Sequence, residues 1–141
     1  MLVDEKDLWP QGKFVTTHLV VRTAFLKQYP ATVEALLRGH VAAVQLAQKD
    51  ATTAKSVINA GLVKAGSKSL DATTMDRAWS ELSVTWDPIA SALKKSADNG
   101  VSAGTTETKV NLAGIYDLRL LNKILAEQKL DKVSAGGLGE Q

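Results

Sequence analysis

Proton transfer, metal binding and nucleophilic attack each need particular side chains in particular arrangements, and this sequence offers few of them. Asp76, Glu81, Asp87 and Asp117 supply carboxylates near apolar helical patterns. Asp87 and Asp117 stand just before such patterns, where a carboxylate accepts hydrogen bonds from the free amides of a helix start. Asp76 and Glu81 fall on exposed helix positions, so no paired-carboxylate site of the glycosidase kind is expected. His18 and His40 are the two histidines, they lie too far apart for a ligand motif, and there is no cysteine to join them. His40 shares a helical face with Val33, Leu37, Val41 and Val44 and reads as a boundary residue. Gly136-Gly137-Leu138-Gly139 imitates a phosphate loop but lacks the strand before it and the helix after it. No nucleophile-elbow pattern occurs. These residues predict a protein that is not an enzyme and needs neither metal nor cofactor.

The elements that must position any site are mostly helical. The chain has 141 residues, the size of one ordinary domain, and 45% are apolar but only 5% aromatic. Such a core is built from Leu, Val and Ala, which favours helices. Seventeen basic and fifteen acidic side chains give a net charge of +2 and are interspersed; Lys94-Lys95 is the one adjacent basic pair. No basic stripe with interleaved aromatics exists, so a nucleic-acid partner is not expected. No apolar run approaches the roughly 18 residues of a membrane span. The start, Met1 to Glu5, turns acidic at once, so no export signal is legible within the chain.

Residues 1–13 read as a loop broken by Pro10 and Gly12, in which Trp9 serves as a loop anchor or as part of a cleft wall. Phe14 to Arg22 is rich in β-branched residues and predicts a strand, apolar on both faces at Leu19-Val20-Val21. Thr23 caps a short helix to Tyr29, which Pro30 ends. A long amphipathic helix follows from about Ala31 to Lys49, with Val33, Leu36, Leu37, Val41 and Val44 on one face. Asp50 caps a helix to about Ala65, with Ala54, Val57, Ile58 and Leu62 inward. Asp71 caps another, whose inner face is Met75, Ala78, Trp79 and Leu82. Asp87-Pro88 opens a helix that Asn99-Gly100 closes. Residues 100–111 read as a polar loop. Asp117 then caps a last helix with Leu120, Leu121, Ile124 and Leu125 inward. Trp79 and Trp86 are expected to pack the core. No internal repeat is evident, and residues 131–141 read as a mobile tail.

One strand and about six helices pose a physical problem. A doubly apolar strand needs neighbours on both edges, or its amide and carbonyl groups go unpaired. This sequence does not clearly supply them. The strand must pair with segments outside these residues, or the chain must self-associate through it.

The run DEKDLWPQGKFVTTHLVVRTAFLKQYPATVEALLRGHVAAV resembles the solute-binding proteins of ABC importers, in the group that takes aliphatic sulfonates, taurine, nitrate and related anions. A strand ending in Val-Val-Arg, a Phe-Leu-x-x-x-Pro turn and a long helix carry the resemblance. SVTWDPIASALKKSADNG and LAGIYDLRLLNKIL are similar to that family's C-terminal segments. The resemblance implies the helix-dominated portion of a type II periplasmic-binding fold, which is an α/β fold of two lobes. Residues 1–13 would end the hinge region, and 14–130 would form the C-terminal part of a lobe. It also implies a small anionic solute, a membrane permease as partner, a periplasmic location and an N-terminal half not present here.

In that family the chain returns across the hinge beside the cleft where Phe14 to His18 lie. The resemblance therefore implies Thr16, Thr17 and His18 as ligand contacts, since hydroxyls and an imidazolium can donate to sulfonate oxygens. The alternative is that the threonines are strand formers and His18 a solvated residue. Arg22 reads as a structural partner near the next helix. Two other functions stay open. One is a pyrimidine-precursor synthase of thiamin biosynthesis, of similar fold, with His18 in its cleft. The other is a free-standing helical interaction module.

Overall fold

The computed structural model describes residues 3–106 and 110–140. Of the polar loop expected over 100–111, residues 107–109 lie outside that description, as do the first two residues of the opening loop and the last of the tail. The described chain is dominated by six helices: α1 (Thr23–Gln28), α2 (Pro30–Lys49), α3 (Ala51–Lys64), α4 (Ala72–Ser80), α5 (Ala90–Ser102) and α6 (Arg119–Glu127). Two short strands, β1 (Tyr116–Asp117) and β2 (Gly139–Glu140), pair in parallel, Tyr116 opposite Gly139 and Asp117 opposite Glu140. No helix among the described residues is long and apolar enough to cross a membrane.

The long strand expected over Phe14 to Arg22 is not formed. The segment is irregular throughout. A strand exists only where its amides and carbonyls meet a partner edge, and β-branched composition cannot substitute for that partner. The apolar centre is left in water: Leu19 is 51% and Val20 86% exposed.

The chain up to Leu37 joins with the chain from Asp87 onward as one unit, and Arg38–Trp86 forms the other. In the Arg38–Trp86 unit, Val41, Val44, Ala54 and Met75 are buried. Its helices α3 and α4 start with the same four residues, Asp-Ala-Thr-Thr, at 50–53 and 71–74. Asp50 Oδ1 accepts the Thr53 amide at 3.0 Å and Oδ2 the Thr53 hydroxyl at 2.6 Å. Asp71 repeats this with Thr74, at 2.9 and 2.8 Å. The repeated tetrapeptide is thus a duplicated N-cap. On α3 the half-buried residues Ala51, Lys55, Asn59 and Leu62 mark the covered stripe. Val57 lies away from it; Val57 and Ile58 are 58% and 45% exposed, contrary to the inward places expected for them. Leu36 and Leu82 are exposed as well; Leu82 lies beyond the last residue of α4. Trp79 and Trp86 are half-buried.

The other unit buries Val33, Ala90, Ala92, Leu118, Leu121, Ile124, Leu125, Ala135 and Leu138. α5 starts at Ala90 rather than at Pro88. Ile89 borders it in left-handed backbone, φ +46°, and the Asp87 carboxylate accepts the Ile89 amide at 2.8 Å. Gly100 does not close α5 but lies inside it. Thr23 is the first residue of α1 and makes no cap; Arg22 precedes it. Asp117 does receive the first amide of α6, Arg119 N–H, at 3.2 Å.

The C-terminal tail, expected to be mobile, makes backbone and side-chain contacts within its unit. Leu138 carbonyl accepts the Tyr116 amide at 3.3 Å, and Glu140 carbonyl accepts the Leu118 amide at 2.9 Å. Ala135 and Leu138 are buried, and Lys94 donates to Gly136 carbonyl at 2.8 Å. A Cβ at residue 139 would overlap the Tyr116 carbonyl, so only glycine lets the two strands meet. Asn122, 5% exposed, fixes the approach to the tail: its amide donates to Val133 carbonyl at 3.0 Å and accepts the Val133 amide at 2.9 Å.

Candidate functional site

Thr16, Thr17 and His18 occupy consecutive, exposed positions of the irregular segment, with Thr16 at a bend. Phe14 upstream is anchored: its ring stacks on Trp9 with centroids 5.4 Å apart, and Trp9 Nε1 donates to Glu5 at 3.3 Å. Trp9 thus ties the opening segment to Phe14. Among the described residues neither threonine has a hydrogen-bonding partner, so both hydroxyls can face solvent or a ligand.

His18 is different. Its Nε2 lies 3.2 Å from the Tyr116 hydroxyl, and the two rings stack at 6.1 Å with 29° between their planes. Tyr116 sits on β1, half-buried, and its hydroxyl donates onward to Pro88 carbonyl through a long 3.4 Å bond. Burial, with the charge of Asp87 adding to it, pushes the Tyr116 phenol above its ordinary range, so the hydroxyl keeps its proton. The same corner holds Ile89 in left-handed backbone, which costs a β-branched residue on the order of 1–3 kcal/mol. Four segments that are far apart in sequence thus meet: the Thr16–His18 stretch, the Asp87–Ile89 corner, β1 and, through its ladder, the tail.

Sequence reasoning placed Thr16, Thr17 and His18 together and missed Tyr116 and the Pro88 carbonyl. Tyr116 stood within LAGIYDLRLLNKIL, between the polar loop expected over 100–111 and the last helix, with no site role assigned to it. Arg22, expected to pair near α1, makes no ion pair with a described residue. His40 is exposed on α2.

Several other charged side chains are paired with one another. Asp117 takes Arg119 through two bonds, Nε to Oδ1 at 2.9 Å and Nη2 to Oδ2 at 2.6 Å. That guanidinium holds the Asp117 carboxyl below its ordinary range. Lys123 pairs with Glu34 at 2.9 Å and Lys55 with Asp76 at 2.6 Å. A surface cavity of about 360 Å³ is lined by Arg119, Asn122, Lys123, Ala126 and Lys132, but two of its three cations already have carboxylate partners. Among the described residues no three His, Cys, Asp or Glu side chains are grouped to hold a metal ion.

Compared with models of protein families, with curated proteins and with solved structures, the chain matches none.

Proposed function

We propose that the chain is the C-terminal portion of the solute-binding protein of an ABC importer, of type II periplasmic-binding fold, which takes an aliphatic sulfonate or a related small anion between two lobes. The observation that carries this reading is the unladdered segment Phe14–Arg22. It presents Leu19 and Val20 to water and three adjacent donors, Thr16, Thr17 and His18, beside them. An apolar segment rich in β-branched residues and lacking a mate is what remains of a hinge strand when its sheet neighbours belong to another part of the protein.

The chemistry suits an anion. A sulfonate offers oxygens that accept and never donate, so its contacts must be hydroxyls, amides or cations. Binding shifts the lobes toward a closed form that a membrane permease recognises, outside the cytoplasm, and no bond is made or broken.

The test is isothermal titration of ethanesulfonate into the full-length protein. Micromolar or tighter binding is expected. Thr17→Val should weaken it by about tenfold to a hundredfold, the worth of one hydrogen bond to a charged group. No binding, or an unchanged affinity in the variant, contradicts the assignment.

A further inference from the structure

We propose that Tyr116 is a positioning residue for His18, and that the C-terminal tail holds Tyr116 in place through the β1–β2 ladder. The ligand role it gives His18 rests on the reading above; the geometry does not. A tyrosine hydroxyl has one proton to give. Pro88 carbonyl can only accept, and the Tyr116 hydroxyl donates to it. With that proton on Pro88 carbonyl, the 3.2 Å bond to His18 is assigned the other direction, from Nε2–H to the phenol oxygen. Tyr116 thus selects the tautomer protonated at Nε2 and turns the ring by stacking against it. Nδ1 is the ring position left over, and its N–H is the donor that an imidazolium at residue 18 has for an anion.

The tail is part of the device because Tyr116 has no long strand to steady it. β1 contains two residues. Its amide is tied to Leu138 carbonyl, and Gly139 is the residue whose missing side chain permits that approach. Ala135 and Leu138, both buried, and Lys94 on Gly136 carbonyl clamp the tail from the other side. A segment 120 residues away in sequence thereby sets the orientation of His18.

Nitrogen correlation spectra of the chain carrying isotopically labelled histidine report which ring nitrogen holds the proton, and His40 is the internal control. With the ring neutral, His18 should show Nε2 protonated, Nδ1 bare, and a ring-to-ring Overhauser contact with Tyr116. Tyr116→Phe removes the acceptor, so the two His18 nitrogen signals should move toward each other while those of His40 stay fixed. Gly139→Val keeps the phenol but breaks the ladder, and it should displace the His18 signals in the same direction. Wild-type His18 protonated at Nδ1, or His18 signals indifferent to either variant, overturns the proposal. If the Gly139 variant does not fold, the wild-type spectrum and that of Tyr116→Phe decide together. In the full-length protein, Tyr116→Phe should also weaken ethanesulfonate binding by about threefold to tenfold. If ethanesulfonate fails to bind while the tautomer result stands, the ligand reading falls and the positioning role survives.

Discussion

Two helices, one in each unit, leave their last turn through the same backbone device, and the difference between them lies in what surrounds it. At the end of α3, Ser67 donates to Leu62 carbonyl and Gly66 to Val63 carbonyl, with Gly66 at φ +89°. At the end of α6, Leu130 donates to Leu125 carbonyl and Lys129 to Ala126 carbonyl, with Lys129 at φ +57°. Both are Schellman-type exits. Each is bracketed by an asparagine clamp with the same separation of eleven positions: Asn59 pairs both ways with the Leu70 backbone, and Asn122 with that of Val133. Asn59 is half-buried and Asn122 nearly fully buried. One hydrogen-bond pattern therefore serves two energetic purposes. Around Asn59 water can readily replace a lost partner; around Asn122, 5% exposed, it has less access.

The largest effect expected from this contrast is on the clamps. Asn122→Ala strands two backbone groups of Val133 and should cost about 2–3 kcal/mol, whereas Asn59→Ala should cost about 1 kcal/mol. Denaturant unfolding measures both, and equal losses would break the comparison. The left-handed residues sharpen it further. Gly66→Ala places a Cβ where only glycine is unstrained and should cost about 1 kcal/mol, while Lys129→Gly should gain no more than about 1 kcal/mol. A destabilised Lys129→Gly would mean that the lysine side chain contributes more than its backbone strain costs.

The smallest effect belongs to the duplicated caps of α3 and α4. Hydrogen bonds from Thr53 hold the Asp50 carboxyl below its ordinary range, and those from Thr74 do the same for Asp71. A carboxyl depressed on folding contributes stability above its unfolded pKa and loses it as pH falls through the folded one. The helices of the Arg38–Trp86 unit should therefore weaken in acid. Replacing both residues by asparagine, which caps without titrating, should remove that acid sensitivity from the circular dichroism signal. An identical acid profile in wild type and variant would contradict it.

What was legible in the sequence was local. Pro30, Asp50 and Asp71 announce their helices, and the start of each matches within a residue because caps act over three or four positions. Val33, Val41, Val44, Leu121, Ile124 and Leu125 are buried as their spacing predicted. What failed depends on distant partners. Phe14–Arg22 has strand composition and no mate. The tail has the composition of a mobile end, yet Tyr116 and Ala90 lie where its glycines can approach them. Asn122 did leave a trace, a lone polar residue on the apolar face with Leu118, Leu121 and Leu125. The Asp-Ala-Thr-Thr pair is plain once its two caps are seen side by side. For the candidate site, Thr16–His18 stood in the sequence, and Tyr116, brought in by a two-residue ladder, did not.

Amide hydrogen exchange over Phe14–Arg22 tests the central claim most directly. In the 141-residue chain alone, these amides should exchange at nearly the rate of an unfolded peptide; in the full-length protein saturated with ethanesulfonate, they should be protected like a central strand. Protection already present in the chain alone, or none gained in the full-length protein, would show that this segment is not an edge waiting for the rest of a receptor.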